Sequence, residues 1–346
     1  VSSFSPQVAR GSLGGLPLRV ALKRGALVTA ANWQVILVQF TAGSVSRLAL
    51  AVPVVGGALM VGVLSNADVA GVFSSDLRAA ASLVAASLLH RPIALWSFLL
   101  AMSVVAIGSG VVSWLAQAGV AGTLMAGERR AEDIERPPIR LEALGRARAF
   151  SIDGFMADVA RFGRRFVLLG AWLYAGYALV ITGAVASLAV ATSLSGRAGW
   201  SIVFPLAAIG VSAAALVLVA ALQLAQALLQ AIMTTDDCRL SAAVARLRLF
   251  LFYDTRQVLG IFGVVMVLVL LATAASVLVT AGLALIAWVP FVGLTVVPLQ
   301  LAAWLLRGVV FHYMDLSAWS AYQSQYRRYA DPEVADAALR AARIHA

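Results

Sequence analysis

Residues 258–286 read VLGIFGVVMVLVLLATAASVLVTAGLALI, without one charged side chain. A helix rises about 1.5 Å per residue and the hydrocarbon core of a bilayer is about 30 Å thick, so about 20 such residues cross it. Ala287, Trp288, Val289 and Pro290 mark the passage to the next apolar run, 288–314. A connection that short forces an antiparallel helical hairpin. Four more runs of the same kind lie upstream, at about 40–64, 94–126, 166–194 and 200–232. The turn Ser195-Gly196-Arg197-Ala198-Gly199 makes a second hairpin of the third and fourth.

The whole composition agrees. Of 346 residues 62% are hydrophobic and only 12% charged, with a mean hydropathy of +0.92. Soluble domains are about half apolar and about a quarter charged. This chain is too poor in charge to coat a globular surface, which excludes a soluble enzyme, a nucleic-acid-binding domain and a disordered protein. The expected fold is all-α: a single polytopic bundle over 1–330 with six transmembrane helices, amphipathic interfacial helices and a cytoplasmic tail over 331–346. Residues 26–39, with Asn32, Gln34 and Gln39, read as an interfacial lead-in to the first span, in which Pro53 is placed to kink the helix.

The net charge of +10 has to be read by position. Twenty-one of the 26 basic residues fall in the N-terminal segment, 127–165, 233–257 and beyond 314, whereas Arg78, Arg91 and Arg197 fall on the other side. Basic loops stay in the cytoplasm. Both termini are therefore expected inside, in a bacterial cytoplasmic membrane. Arginine outnumbers lysine 25 to 1, a bias that fits codon usage in a GC-rich bacterium. The dispersed Arg10, Arg19, Lys23 and Arg24 predict no cleavable leader and a first span retained as a signal anchor. Cys238, the single cysteine, excludes an intrachain disulfide and a thiolate cluster.

Between spans, apolar residues recur at helical spacing. In 151–167 they are Phe155, Val159, Phe162 and Phe166, opposite Asp158, Arg161, Arg164 and Arg165. In 240–251 they are Leu240, Val244, Leu247 and Leu251, opposite Arg239 and Arg246. In 76–89 they are Leu77, Ala81, Val84 and Leu88, with Ser75 placed to cap. Such helices are expected to lie in the interface plane. Asp236 and Asp237 precede the second, where the helix dipole favours negative charge. The mixed charges of 127–148 read as a solvated linker.

The segments Val20–Arg24, Val159–Arg164 and Val244–Arg248 each carry a basic lead into an odd-numbered span, which suggests three hairpin pseudo-repeats. This alternation of basic leads and hairpins resembles bacterial six-span membrane domains, some of which are fused to glycerophosphodiester phosphodiesterases. The resemblance implies a membrane module without the hydrolase, and it carries no site residues over.

Polar residues within spans are the first place to look for function. None of the six runs holds an aspartate or glutamate in its middle, which weighs against a proton-driven carrier. Gln223, Gln226 and Gln230 fall at i, i+3 and i+7 and make one stripe on the fourth span. With Gln117, Arg47 and Arg307 they could line a polar cavity for a substrate or a lipid head group. Interhelical hydrogen bonding explains the glutamines equally. His312 and Asp315 share a helix face and form a candidate ligating pair; the aromatics after them, Trp319, Tyr322 and Tyr326, read as an interfacial belt. No catalytic constellation, nucleotide-binding motif or metal-ligand spacing is present in the sequence, and no cofactor is expected. The expected role is that of a non-enzymatic membrane subunit that anchors, organises or assists a larger complex, or binds lipid. Its partners would be membrane lipids, including anionic head groups, and other membrane subunits, without nucleic acid. The alternative is a permease or exporter component with a cytoplasm-facing polar site.

Overall fold

The computed structural model describes residues 17–64, 92–132, 134–136, 138, 140–198, 203–287 and 292–330. They form helices α1 (Leu18–Ala31), α2 (Trp33–Leu64), α3 (Pro92–Arg130), α4 (Leu141–Ala147), α5 (Ile152–Ala198), α6 (Val203–Asp236), α7 (Leu240–Ala287) and α8 (Val292–Ala330). No strand occurs among them. Six of these helices, α2, α3, α5, α6, α7 and α8, are long and apolar enough to cross a membrane. The chain is thus an all-α polytopic bundle. The proposed helix at 76–89 and the tail 331–346 lie outside the described residues.

The helices outrun the apolar runs. α5 has 47 residues, which at 1.5 Å each reach about 70 Å, more than twice the hydrocarbon thickness. The stretch 152–165 is therefore not a separate helix in the interface plane but the start of α5. Its apolar face is covered by protein: Phe162 and Phe166 are buried, and a Cβ added at Gly119 of α3 would stand 2.5 Å from the Phe155 ring. Glycine lets α3 and α5 approach here, and this pair packs more extensively than any other. The lead into the first span ends at Asn32, where the chain leaves helical geometry (φ −109°) and α2 then begins. α2 runs on through Pro53. The third lead, at the start of α7, meets its span at a break at Asp254 (φ −126°, ψ 27°). There the buried side chains are Ala243, Leu247 and Phe250, whereas Val244 is exposed.

α8 departs most from expectation. It does not stop at 314 but continues to Ala330. In this extension Trp319, Tyr322 and Tyr326 are buried among α1, α6 and α7 and form no interfacial belt. Gly25 of α1 lies so close to α8 that an added Cβ would stand 2.8 Å from the Ala321 backbone nitrogen.

The segment 127–148 is solvated only in part: Arg129, Arg130, Glu132, Arg136 and Arg140 are exposed, whereas Glu128 and Glu135 are held by α1. Arg24 of α1, only 6% exposed, forms ion pairs of 2.7 Å with both Glu128 and Glu135 and also donates to the Glu132 carbonyl. Burial alone would lower the guanidinium pKa, but Glu128 and Glu135 hold it above its ordinary value. Lys23 donates to the Glu135 carbonyl at 2.7 Å and Arg328 stands 3.6 Å from the Glu135 carboxylate. Asn32, fully buried, donates to the Ala147 carbonyl and accepts from the Ala149 and Phe150 amides. One side chain thus satisfies the α1–α2 break and fixes the entrance to α5.

Asp236 and Asp237 stand just before α7, as expected, and each is also held by side chains. Asp236 ends α6 and is bonded by Arg246 and the Tyr326 hydroxyl. Asp237, at φ +48°, pairs with Arg161 and Arg165 of α5, both at 2.6 Å. The hydrogen bond from Arg161, with that from Arg165, keeps its carboxyl below the usual carboxylate range.

Candidate central cavity

Two cavities lie among the spans and share the residues Gln223, Ala227, Asp315 and Trp319. The smaller, about 280 Å³, is lined by side chains of α2, α3, α5, α6 and α8. The larger, about 850 Å³, is lined by α2, α6, α7 and α8. On α8 the lining runs through Trp304, Arg307, Gly308, Phe311, His312, Asp315, Ala318, Trp319 and Tyr322. These positions step by three or four, so one face of α8 looks into the space.

The smaller cavity gathers the glutamines. The Gln117 carbonyl accepts from the Gln230 amide at 2.8 Å and from the Gln226 amide at 3.4 Å. The stripe on α6 therefore does bond between helices, and the same amides line a cavity with Gln223. Two further residues complete its polar wall. Gln39 of α2 is 7% exposed and its side-chain carbonyl oxygen has no hydrogen-bond partner. Asp315 opens onto the space and has no hydrogen bond or ion pair among the described residues. The sequence windows ended the last span before Asp315. In the structure α8 continues past it, and Asp315 lies five residues beyond Val310, the last exposed large hydrophobic residue of that helix.

The larger cavity holds both arginines. Phe40, Phe262, Val265, Met266, Val269 and Trp304 give it an apolar wall; Arg47, Arg307, His312 and Tyr322 bring polar groups to it. The Arg307 guanidinium lies 5.6 Å from the Phe311 ring centre. Neither arginine has a carboxylate partner among the described residues. Phe40 meets Trp304 and His312 edge-on, at 6.2 and 6.1 Å between ring centres, and closes α2 onto α8. His312 and Asp315 both line this cavity without a hydrogen bond between them. Among the described residues no group of three or more His, Cys, Asp or Glu side chains could hold a metal ion.

The depth of the arginines follows from the exposed apolar surface. The last exposed large hydrophobic residue on α8 is Val310 and the last on α3 is Val112. Arg307 precedes Val310 by three residues, about 4.5 Å of rise. Ser46, next to Arg47, donates to the Ser109 carbonyl at 3.4 Å, and Ser109 also precedes Val112 by three residues. Both arginines thus stand about one helical turn within the apolar band, near the end that carries the basic loops. Gln300 is exposed on α8 and lines neither cavity.

Gln39, Phe40, Tyr177 and Trp319 line the site without having been singled out from the sequence as site residues. Gln39 carried the one legible signal, an amide in an apolar run. The chain matches no family model, no curated protein and no solved structure.

Proposed function

We propose that the protein is a non-enzymatic integral protein of a bacterial cytoplasmic membrane that binds an amphiphile with an anionic head group in its central cavity. Both ends of the described chain face the cytoplasm in this reading, because the basic loops gather at their end of the bundle. The observation that carries the binding reading is the larger cavity. It sets two arginines without carboxylate partners against a wall of aromatic and aliphatic side chains. Guanidinium groups make strong paired hydrogen bonds to phosphate or carboxylate, and the apolar wall suits an acyl or prenyl chain. An arginine one turn inside the apolar band is costly unless it reaches the interface or meets an anion. A head group between Arg47 and Arg307 supplies that anion.

A second reading, a permease, shares the site. It is favoured by the position of the cavities inside the ring of spans, where a substrate could pass from one to the other past Gln223 and Asp315. Both readings predict that the two arginines select the ligand.

The test is native mass spectrometry of the full chain released from nanodiscs of mixed phosphatidylglycerol and phosphatidylcholine. Wild type is expected to retain phosphatidylglycerol selectively, and the Arg47→Ala/Arg307→Ala double variant to lose at least tenfold of that preference while eluting as one species. Equal retention by the two proteins would overturn the assignment. Other membrane subunits at a fixed ratio to the chain, with lipid retention unchanged in the variant, would favour a subunit of a larger complex instead.

A further inference from the structure

The smaller cavity differs in chemistry from the larger one. Its polar wall is rich in acceptors: the Asp315 carboxylate, the unpartnered Gln39 carbonyl oxygen, and the amides of Gln117, Gln223, Gln226 and Gln230. A buried acceptor without a donor costs about 1–3 kcal/mol, and an unpaired carboxylate costs more. Here the buried Gln39 oxygen on α2 and the accessible Asp315 carboxylate on α8 face one space of about 280 Å³. Arg47 and Arg307 line only the larger cavity. Arg307 is eight residues from Asp315 on the same helix, about 12 Å of rise, and its guanidinium lies against the Phe311 ring. No side chain lining the smaller cavity is cationic, so Asp315 meets that space without a positive charge from its wall.

We infer that the smaller cavity is a binding site for a small monovalent cation, an alkali ion or a primary ammonium group, held by the Asp315 carboxylate, the Gln39 carbonyl oxygen and amide oxygens of the glutamine cluster. Oxygen donors suit a hard cation. The charge sets the valence. One carboxylate among neutral amides balances a single positive charge, whereas a divalent ion would call for more than one. Tyr177 and Trp319 also line the space, and their rings favour a cation further. The inference does not rest on the amphiphile reading, since the arginines that carry that reading line only the other cavity.

The experiment measures ²²Na⁺ binding to the full chain in phosphatidylcholine nanodiscs, at constant ionic strength set with N-methylglucamine chloride. Wild type is expected to bind saturably. Asp315→Asn is expected to abolish binding, and Gln39→Leu, at a residue that lines only the smaller cavity, to weaken it at least tenfold with unchanged elution and lipid retention. If Asp315→Asn does not fold, Gln39→Leu carries the test, because it removes the oxygen without adding or removing charge. Displacement of ²²Na⁺ by methylammonium at lower concentration than by K⁺ assigns an ammonium ligand, and the reverse order an alkali ion. Absence of saturable binding in wild type, or unchanged binding in a folded variant, overturns the inference while leaving the lipid assignment to its own test.

Discussion

The two ends of the bundle are built on different principles. The basic end, from α1 and the extension of α8 to the turn between α6 and α7, holds most of the buried side chains. Residues 318–326 of α8 are all buried, including Ser320, Gln323, Ser324 and Gln325. Away from that end large apolar residues face outward on every described span, among them Trp96, Leu179, Leu216, Leu271 and Leu299. Few side chains are buried there; Ala191 and Val296 are two of them. The cavities lie where one regime gives way to the other. The difference teaches where fold energy resides. Beyond the apolar band the helices meet water and gain from burying surface against each other. Within the band lipid is as apolar as leucine, and packing gains little over lipid contact.

The largest expected effect comes from breaking the basic end at its charge. Arg24→Ala leaves the buried Glu128 without its ion pair and Glu135 with only Arg328, at 3.6 Å. Removing one partner of a buried pair costs about 3–5 kcal/mol. The variant is expected to lose its single elution peak, or to melt far below wild type in the same detergent. Arg24→Lys should recover only part of this, because one ammonium cannot bridge two carboxylates and two backbone carbonyls as the guanidinium does.

A leucine truncation probes the same end without charge. Leu228 of α6 is 1% exposed, and Leu228→Ala is expected to cost about 2–5 kcal/mol through lost transfer energy and the cavity left behind. Chemical denaturation in mixed micelles measures it. A cost under about 0.5 kcal/mol would mean that the basic end is as loosely held as the rest.

How much of this was legible beforehand follows the same division. The six spans could be read because a bilayer demands uninterrupted apolar runs, and 258–286 states that demand without a break. The ends of the helices could not. Windows closed α8 at 314 because Asp315 and the polar residues after it look like an exit to water, whereas they enter a second core built by α1, α6 and α7. Phe155, Phe162 and Phe166 carried the correct helical period, but nothing in 151–167 says whether lipid or α3 covers them; the answer lies in Gly119, more than thirty residues away. The three basic leads look alike in sequence, yet they join their spans through a break at Asn32, through none in α5 and through the kink at Asp254. The glutamine stripe was readable from spacing on α6. Gln117 could be grouped with it as another span glutamine, but Gln39 and Asp315 could not, because they come from two other helices and meet it only in the fold.

The smallest expected effect sharpens the comparison most. Leu271 of α7 is 62% exposed and points away from the bundle. Leu271→Ala makes the same chemical change as Leu228→Ala, so the side-chain transfer energy in question is the same and only the surroundings differ. Around Leu271 an acyl chain takes the place of the lost methyl groups, and no cavity remains. Stability is expected to change by no more than about 0.5 kcal/mol, within the range of substitutions away from packed sites, and lipid retention and ²²Na⁺ binding should both stay as in wild type. A cost near that of Leu228→Ala would show that this face of α7 is covered by protein in the membrane, by a second copy of the chain or by another subunit.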